Sequence, residues 1–410
     1  MSYEIAATGL NAVNEQLDGI SNNIANSGTV GYKSMTTQFS AMYAGTQAMG
    51  VSVAGSAQSI ATGGSMVSTG NALDLAINDD GFFVMCDSAG NISYTRAGSF
   101  VTDKNGYIVN ASGDYLQGYP VDDSGTLQTG TVTDIQIKTG NIPAQATDSM
   151  TFTANFDASD DIISRTGDST ADPVVPAVPF DPNNSDTYTD SYTTTVYDSL
   201  GNEHSVSQYF TKTADNTWEV QYTFDGEPQT GVPPTTLTFD PSTGKLTSPT
   251  TPQTITFTTD EAAPISMTVD YSDCTQYGSD FSVTTNSATG YASATQNGVQ
   301  VDDDGKVYAT YSNGERMLQG QVVLATFPDE NGLEAVSGTA WVQTGESGTP
   351  LIGTPGSGSC GTLSSGMLES SNVDITNELV NLMTAQRNYQ ANTKVISTST
   401  QLDQALFQAM

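Results

Sequence analysis

Positive charge is the scarcest feature of this chain. Its 410 residues hold 11 Lys and Arg against 45 Asp and Glu, a net charge of −34. Binding nucleic acid requires clustered Lys and Arg against phosphates, and here the basic residues stand one at a time, so that class of partner is excluded. An anionic membrane surface is disfavoured on the same ground. Histidine occurs once, at His204. Without a second His, a paired Cys or a Ser-nucleophile motif, a catalytic triad lacks its parts, and His204 reads as a strand residue beside Glu203. The three cysteines, Cys86, Cys274 and Cys360, are odd in number and far apart. They give no disulfide framework and no metal-ligand spacing, and read as incidental thiols. No stretch is long and apolar enough to span a membrane, and the first residues lack a basic run and a continuous apolar core, so no cleavable signal peptide is expected.

The remaining chemical motifs are weak. Gly356-Ser357-Gly358-Ser359-Cys360-Gly361 matches the glycine spacing of a dinucleotide loop. That loop needs a strand before it and a helix opening inside it, whereas Pro350 and Pro355 precede this one and more loop follows, so it reads as a flexible linker. Asp302-Asp303-Asp304-Gly305 begins like a calcium loop, but Asn313 stands where the closing acid belongs. Similar Asp/Asn-plus-Gly clusters recur at 78–81, 103–106 and 122–125, and all four read as hairpin turns. Carboxylates are too plentiful for any pair to stand out as an acid/base couple. No cofactor, metal, catalytic residue or small-molecule substrate is expected, and an enzyme ranks last among the function classes.

What the chain does have lies at its ends. Tyr3, Ala6, Leu10, Val13, Leu17, Ile20 and Ile24 alternate spacings of three and four, an apolar seam of the coiled-coil type. The Asn- and Gly-rich stretch 23–33 then stops the helix and turns the chain. Near the other end Ile375, Leu379, Leu382, Tyr389 and Ile396 form a similar stripe, with polar Gln386 and Thr393 at two of its positions. Asn372 or Asp374 is a plausible N-cap for that helix, with Glu378 in its first turn. Positions off the seams are mostly neutral amides, among them Asn11, Asn14, Gln16, Asn22, Asn23, Gln390, Asn392, Gln401, Gln404 and Gln408. A solvated helix surface carries more Lys and Glu, so these faces suit packed helix arrays. One seam by itself buries too little to offset its ordering entropy, so the ends are expected to be disordered in a free monomer.

Between the ends the pattern is β. The low charged content of 14% and apolar content of 36% fit turn-rich β structure. Residues 34–71 show no persistent period and read as a connecting segment with little core of its own. Strand–turn–strand patterns at 73–77, 82–85, 92–100 and 107–109 open an intermediate β domain, which resumes at 299–301, 306–311 and 321–327. Inside it, Thr- and Tyr-rich strands at 192–197, 204–211, 218–224 and 237–239 read as a separate domain after a loop marked by Pro173, Pro176, Pro179 and Pro182. The expected architecture is mainly β with α-helical termini and nested, discontinuous domains. Residues 1–33 and 368–410 form a paired-helix core, 34–71 connects, 72–146 and 285–367 form the intermediate domain, and 147–284 is an inserted outer domain.

These residues resemble the bacterial flagellar axial proteins, and among them the hook proteins. Residues 17–33, with Asn23, Ala25, Asn26 and Gly31-Tyr32-Lys33, look like the N-terminal rod and hook signature. Ser371-Asn372-Val373-Asp374, Glu378-Leu379-Val380 and Gln386-Arg387-Asn388-Tyr389-Gln390-Ala391-Asn392 look like its C-terminal counterpart. The middle is similar at 73–83, at Tyr94-Thr95-Arg96-Ala97-Gly98-Ser99-Phe100, at 311–314 and at 332–348. Rod proteins share both end signatures but are shorter and lack an insertion like 147–284. The resemblance implies a non-enzymatic subunit of a curved, hollow helical tube, a universal joint between motor rod and filament in swimming or swarming motility. Its terminal helices would be the assembly seams, packed around the channel, with the inserted domain outermost. Implied partners are further copies of itself, the rod protein, the hook cap, the hook–filament junction protein and the flagellar type III export apparatus. Its implied location is the extracellular hook, reached without a cleaved signal. The acidity exceeds what this family leads one to expect, and solubility and a salty habitat are the two readings of it. An acidic, β-rich surface adhesin or carbohydrate-binding protein with helical ends for anchoring is the alternative reading.

Overall fold

The computed structural model describes residues 2–44, 47–122, 125–165, 177–229, 231–259 and 262–409; Pro173, Pro176 and the middle of the 122–125 turn lie outside them. The chain forms two compact units. One comprises Met1–Thr139, Asn297–Thr310 and Glu315–Met410, the other Gly140–Gln296 with Tyr311–Gly314.

The inserted unit stacks two sheets. In the first, the strand Ser149–Asp157 pairs in parallel with Ile265–Asp270 and Thr275–Tyr277 and antiparallel with Ser282–Ala288. In the second, Asp190–Tyr197, Glu203–Ala214, Thr217–Phe224 and Thr235–Phe239 run as an antiparallel meander. Inward-facing residues alternate along these strands and meet as an aromatic-rich core containing Phe152, Phe156, Phe210, Trp218 and Phe257. The expected bounds 147–284 are narrower than this unit. Bridges between Ile142 and Ala294 and between Gln145 and Tyr291 hold the entering and leaving segments together, so residues left with the intermediate domain belong here.

The other unit carries both chain ends and a larger β network. Leu75, Ile77, Phe83, Phe100, Leu116, Val307 and Leu324 fill one core of it. Phe82, Tyr94, Phe327 and Trp341 fill another with edge-to-face rings. The glycine-rich run read as a flexible linker is built into this network instead. It forms the strands Leu351–Gly353 and Thr362–Ser365, with a loop between them tied by the Gly356 N–H on the Gly361 carbonyl, 2.9 Å. Gly361 lies so close to the Asn78 carbonyl that a β-carbon would sit 1.8 Å from it. No helix opens there, so the dinucleotide motif has no context.

Residues 34–71 are also more ordered than their pattern implies. Strands β1 (Met35–Ala44) and β2 (Gln47–Gln58) form a long antiparallel ribbon with two register shifts. Small and polar residues on both faces hide its period, since neither face is wholly buried. Its base is anchored where the Trp341 indole N–H donates to Gln58 Oε1 at 2.8 Å.

The helices are α1 (Ser2–Ala25) and α2 (Ile375–Ala409). Asp374 caps α2, its Oδ1 accepting the N–H groups of Thr376 (2.8 Å) and Asn377 (3.2 Å). The helices pack antiparallel: the α-carbon face of Gly9 meets Asn392, and Asn23 meets Glu378.

Candidate assembly site at the paired chain ends

Seven-residue spacing on α1 places Val13 and Ile20 in the helix contact, where they are buried with Ala385 and flanked by half-buried Leu17, Ile24 and Leu382. Ala6 is buried and Leu10 half-buried, while Tyr3 at the start of the seam is 53% exposed. Gly9 is required to be small: a β-carbon there would come within 2.9 Å of the Asn392 amide.

Within one chain, the α2 residues that meet α1 differ from the expected stripe. Leu382 and Ile396 are half-buried, but Gln386 and Thr393 are exposed, and Ala385 and Asn392 take their places one residue earlier. Ile375 and Leu379 are 49% and 46% exposed, and Tyr389 is exposed as well. The reason lies at the helix start, where α2 presents Glu378 to Asn23, so the contact line runs 378–382–385 and not 375–379–382. The best-buried inward position, Ala385, was not a predicted seam residue.

Below the helix pair, most of the signature residues converge on a buried polar clasp. Asn23, read as a surface amide, is buried with both ends of its side chain engaged. Its Nδ2 donates to the Met35 carbonyl (2.8 Å) and to Glu378 Oε1 (3.0 Å). Its Oδ1 accepts from the Met35 N–H (2.8 Å) and the Tyr32 hydroxyl (3.2 Å). Asn26 caps the turn, its Nδ2 donating to the Asn22 carbonyl at 2.9 Å and its Oδ1 accepting from Thr29. Gly31 has a left-handed φ of 69°, and a β-carbon would lie 2.6 Å from the Ala97 nitrogen. Ala25 ends α1 exposed and takes no part.

Lys33 is buried and donates to the Thr62 carbonyl and Glu369 Oε1, both at 2.7 Å. Glu369 also accepts the Gly64 N–H (2.8 Å), its carbonyl accepts the Gly31 N–H (2.8 Å), and its other carboxylate oxygen lies 3.7 Å from Arg96. Burial pulls the Lys33 ammonium below the ordinary lysine range, and the Glu369 carboxylate opposes that shift. Asn372 ties the same strands, accepting the Ser34 N–H at 2.7 Å and donating to the carbonyls of Ser59 and Thr62. The clasp thus joins residues 23–35, 59–64, 96 and 369–378, so both chain ends are locked to one β core. Arg96 and Glu369 were not predicted as site residues. An isolated Arg or Glu in a β pattern carries no sign of burial, although Arg96 lies in a stretch that resembles the family.

A groove of about 530 Å³ runs between α1, α2 and the ribbon, lined by Ile5, Gly9, Val13, Phe39, Val51 and Asn392. Among the described residues, no group of three or more His, Cys, Asp or Glu is placed to hold a metal, and no helix is long and apolar enough to cross a membrane. The arrangement offers surfaces for packing helices.

Comparison with known proteins bears on the whole chain. Residues 4–33 match the family described as flagella basal body rod protein, 76–167 the flagellar hook protein FlgE/F/G D1 domain, 165–291 the flagellar basal body protein FlaE D2 domain, and 364–409 the flagellar basal body rod FlgEFG protein C-terminal family. The flagellar hook protein FlgE of Salmonella typhimurium is 40% identical over 98% of both chains, and that of Escherichia coli K12 is 38% identical over the same shares. The flagellar hook protein of Borreliella burgdorferi is 29% identical over 97% of each. In fold, the chain is similar to the Helicobacter pylori flagellar hook protein FlgE2, with a TM-score of 0.53 at 15% identity over 74% of this chain and all of that one. With full-length identity at this level and four matched segments in chain order, the chain belongs to the flagellar hook protein family.

Proposed function

We propose that this chain is the repeating subunit of a flagellar hook, polymerising with its own copies into a curved, hollow tube that links the motor rod to the filament and transmits torque around a bend. One observation carries the reading. Both chain ends are gathered into a single clasped helix pair, yet that pair leaves Val380, Met383, Val395 and Leu402 exposed to water. A helix pair that is apolar inside and still apolar outside fits lateral packing against other copies. The rod protein below, the hook cap during growth and the junction protein above are its proposed neighbours. Export through the flagellar type III apparatus, without a cleaved signal, is its proposed route out of the cell. No catalytic step enters the reading.

The test is electron microscopy of flagellar bases from cells lacking this gene alone. Bases with a complete rod and neither hook nor filament are expected. A truncated rod would move the protein into the rod, and intact flagella would overturn the reading.

A further inference from the structure

The two helices carry opposite charges on their outer faces. The whole of α1 contains Glu4, Glu15 and Asp18 and no Lys or Arg. Glu15 and Asp18 are exposed, on the side turned away from Val13 and Ile20. On α2 the only charges between Glu378 and Asp403 are Arg387 and Lys394, two turns apart and both exposed on the side opposite Leu382 and Ala385. Val380 and Met383 share that side, 52% and 55% exposed. None of Glu15, Asp18, Arg387 and Lys394 has an ion-pair partner among the described residues. The placement is notable in a chain with 11 basic residues, of which Lys33, Arg96 and Lys212 are buried.

From this we infer that the α2 outer face, through Arg387 and Lys394 around the apolar pair Val380 and Met383, docks on the Glu15/Asp18 face of α1 in a second copy of this chain. The inference rests on the hook-subunit reading and specifies its contact. Charge complementarity identifies the occupant. Copies with a net charge of −34 repel one another, so a lateral contact needs opposite charges where the surfaces meet. Register favours it too. With Gly9 beside Asn392 and Asn23 beside Glu378, Arg387 lies level with Glu15 along the bar. A neighbour displaced by one helical turn, about 5.4 Å, still leaves the long Arg and Lys side chains in reach of Glu15 or Asp18. The contact is heterologous, because the Glu15/Asp18 face and the Arg387/Lys394 face lie on opposite sides of the helix pair and one two-fold axis cannot join both. Such a contact adds copies head to tail, as a ring where the rotation closes and as an open helical array where it does not.

The test uses the full-length chain in cells lacking their own copy, reading hooks per cell by electron microscopy and released monomer in the medium. Arg387→Glu with Lys394→Glu, and separately Glu15→Lys with Asp18→Lys, are each expected to cut hook number by about tenfold or more while monomer accumulates outside. All four substitutions together restore the charge match, and hook number returns to within about threefold of the unaltered chain. Doubles that build normal hooks would overturn the inference, as would a quadruple variant no better than the doubles although secreted and folded by circular dichroism. If the unaltered gene itself restores no hooks, the hook reading fails, and the inference falls with it.

Discussion

Lys33 and Glu369 illustrate how much can depend on one buried pair. Their charges are out of water at 2.7 Å, with Arg96 alongside, so neutralising Glu369 leaves two buried cations facing each other. Breaking a buried pair from one side costs about 3–5 kcal/mol. Glu369→Gln is therefore expected to lower the unfolding free energy of the unit that carries the chain ends by about that amount, read as a lower urea midpoint; an unchanged midpoint would remove the clasp from the stability argument. His204 provides a second residue-scale prediction. Partial burial works against its charged form, but the Asp225 carboxylate, 2.7 Å from Nδ1, and Asp198, 3.5 Å from Nε2, together outweigh that and raise its pKa, while both carboxylates are held below the usual Asp range. With the His pKa raised on folding, its stabilisation is complete below about pH 6.5, the unfolded value, and is lost as pH rises through the folded pKa. The carboxylates contribute above their unfolded pKa and lose that contribution as pH falls through their folded values. The cluster is thus most stabilising from mildly acidic to near-neutral pH. As the chain has one histidine, its imidazole NMR signal reports this directly. A midpoint at or below that of a free histidine would contradict the cluster, and His204→Gln is expected to flatten the alkaline limb of the stability profile.

Among the elements, the helix pair is the least secured. Val13, Ile20 and Ala385 form the buried cluster between the helices, against the extensive aromatic core of the inserted sandwich. Amides of residues 10–24 and 380–400 are expected to exchange at least about a hundredfold faster in dilute monomer than those of Phe152 or Phe210, because small cores open at low cost. Equal protection would show that the pair is stable without assembly. Leu17→Asp sets a carboxylate against Ile20 and Leu382, so it is expected to abolish tubes while the β melting transition stays in place. Normal tubes would rule out this seam. On α1 the face from Ala6 to Ile24 was readable because it is turned inward at a regular period, while Tyr3 at its start is exposed. The α2 stripe was legible only in part: Leu382 and Ile396 follow the period, whereas the Asn23–Glu378 hydrogen bond, which shifts the contact line, is a partnership between residues far apart in the chain. The ribbon β1–β2 was missed for another reason, since a strand pair exposed on both faces has no apolar alternation to read. Short strands with Asp–Gly turns, such as the one at 302–305, could be read because the Asp302 carbonyl accepts the Gly305 N–H at 2.9 Å within the turn itself.

For the molecule as a whole, the insertion behaves as a unit whose ends meet at the Ile142–Ala294 and Gln145–Tyr291 bridges. Residues 140–296 expressed separately are expected to keep a single cooperative thermal transition, and a broad, gradual melt would show that the sandwich depends on the rest of the chain. The clasp has a different consequence. Its anion comes from the last tenth of the sequence and its cations from the first quarter, with Glu369 facing Lys33 and Arg96. A chain cut short by faulty translation or proteolysis anywhere before Glu369 cannot complete it, and its Lys33 is left as an unmatched buried cation. Only a chain that reaches Glu369 can close the clasp and lock both of its ends to the β core.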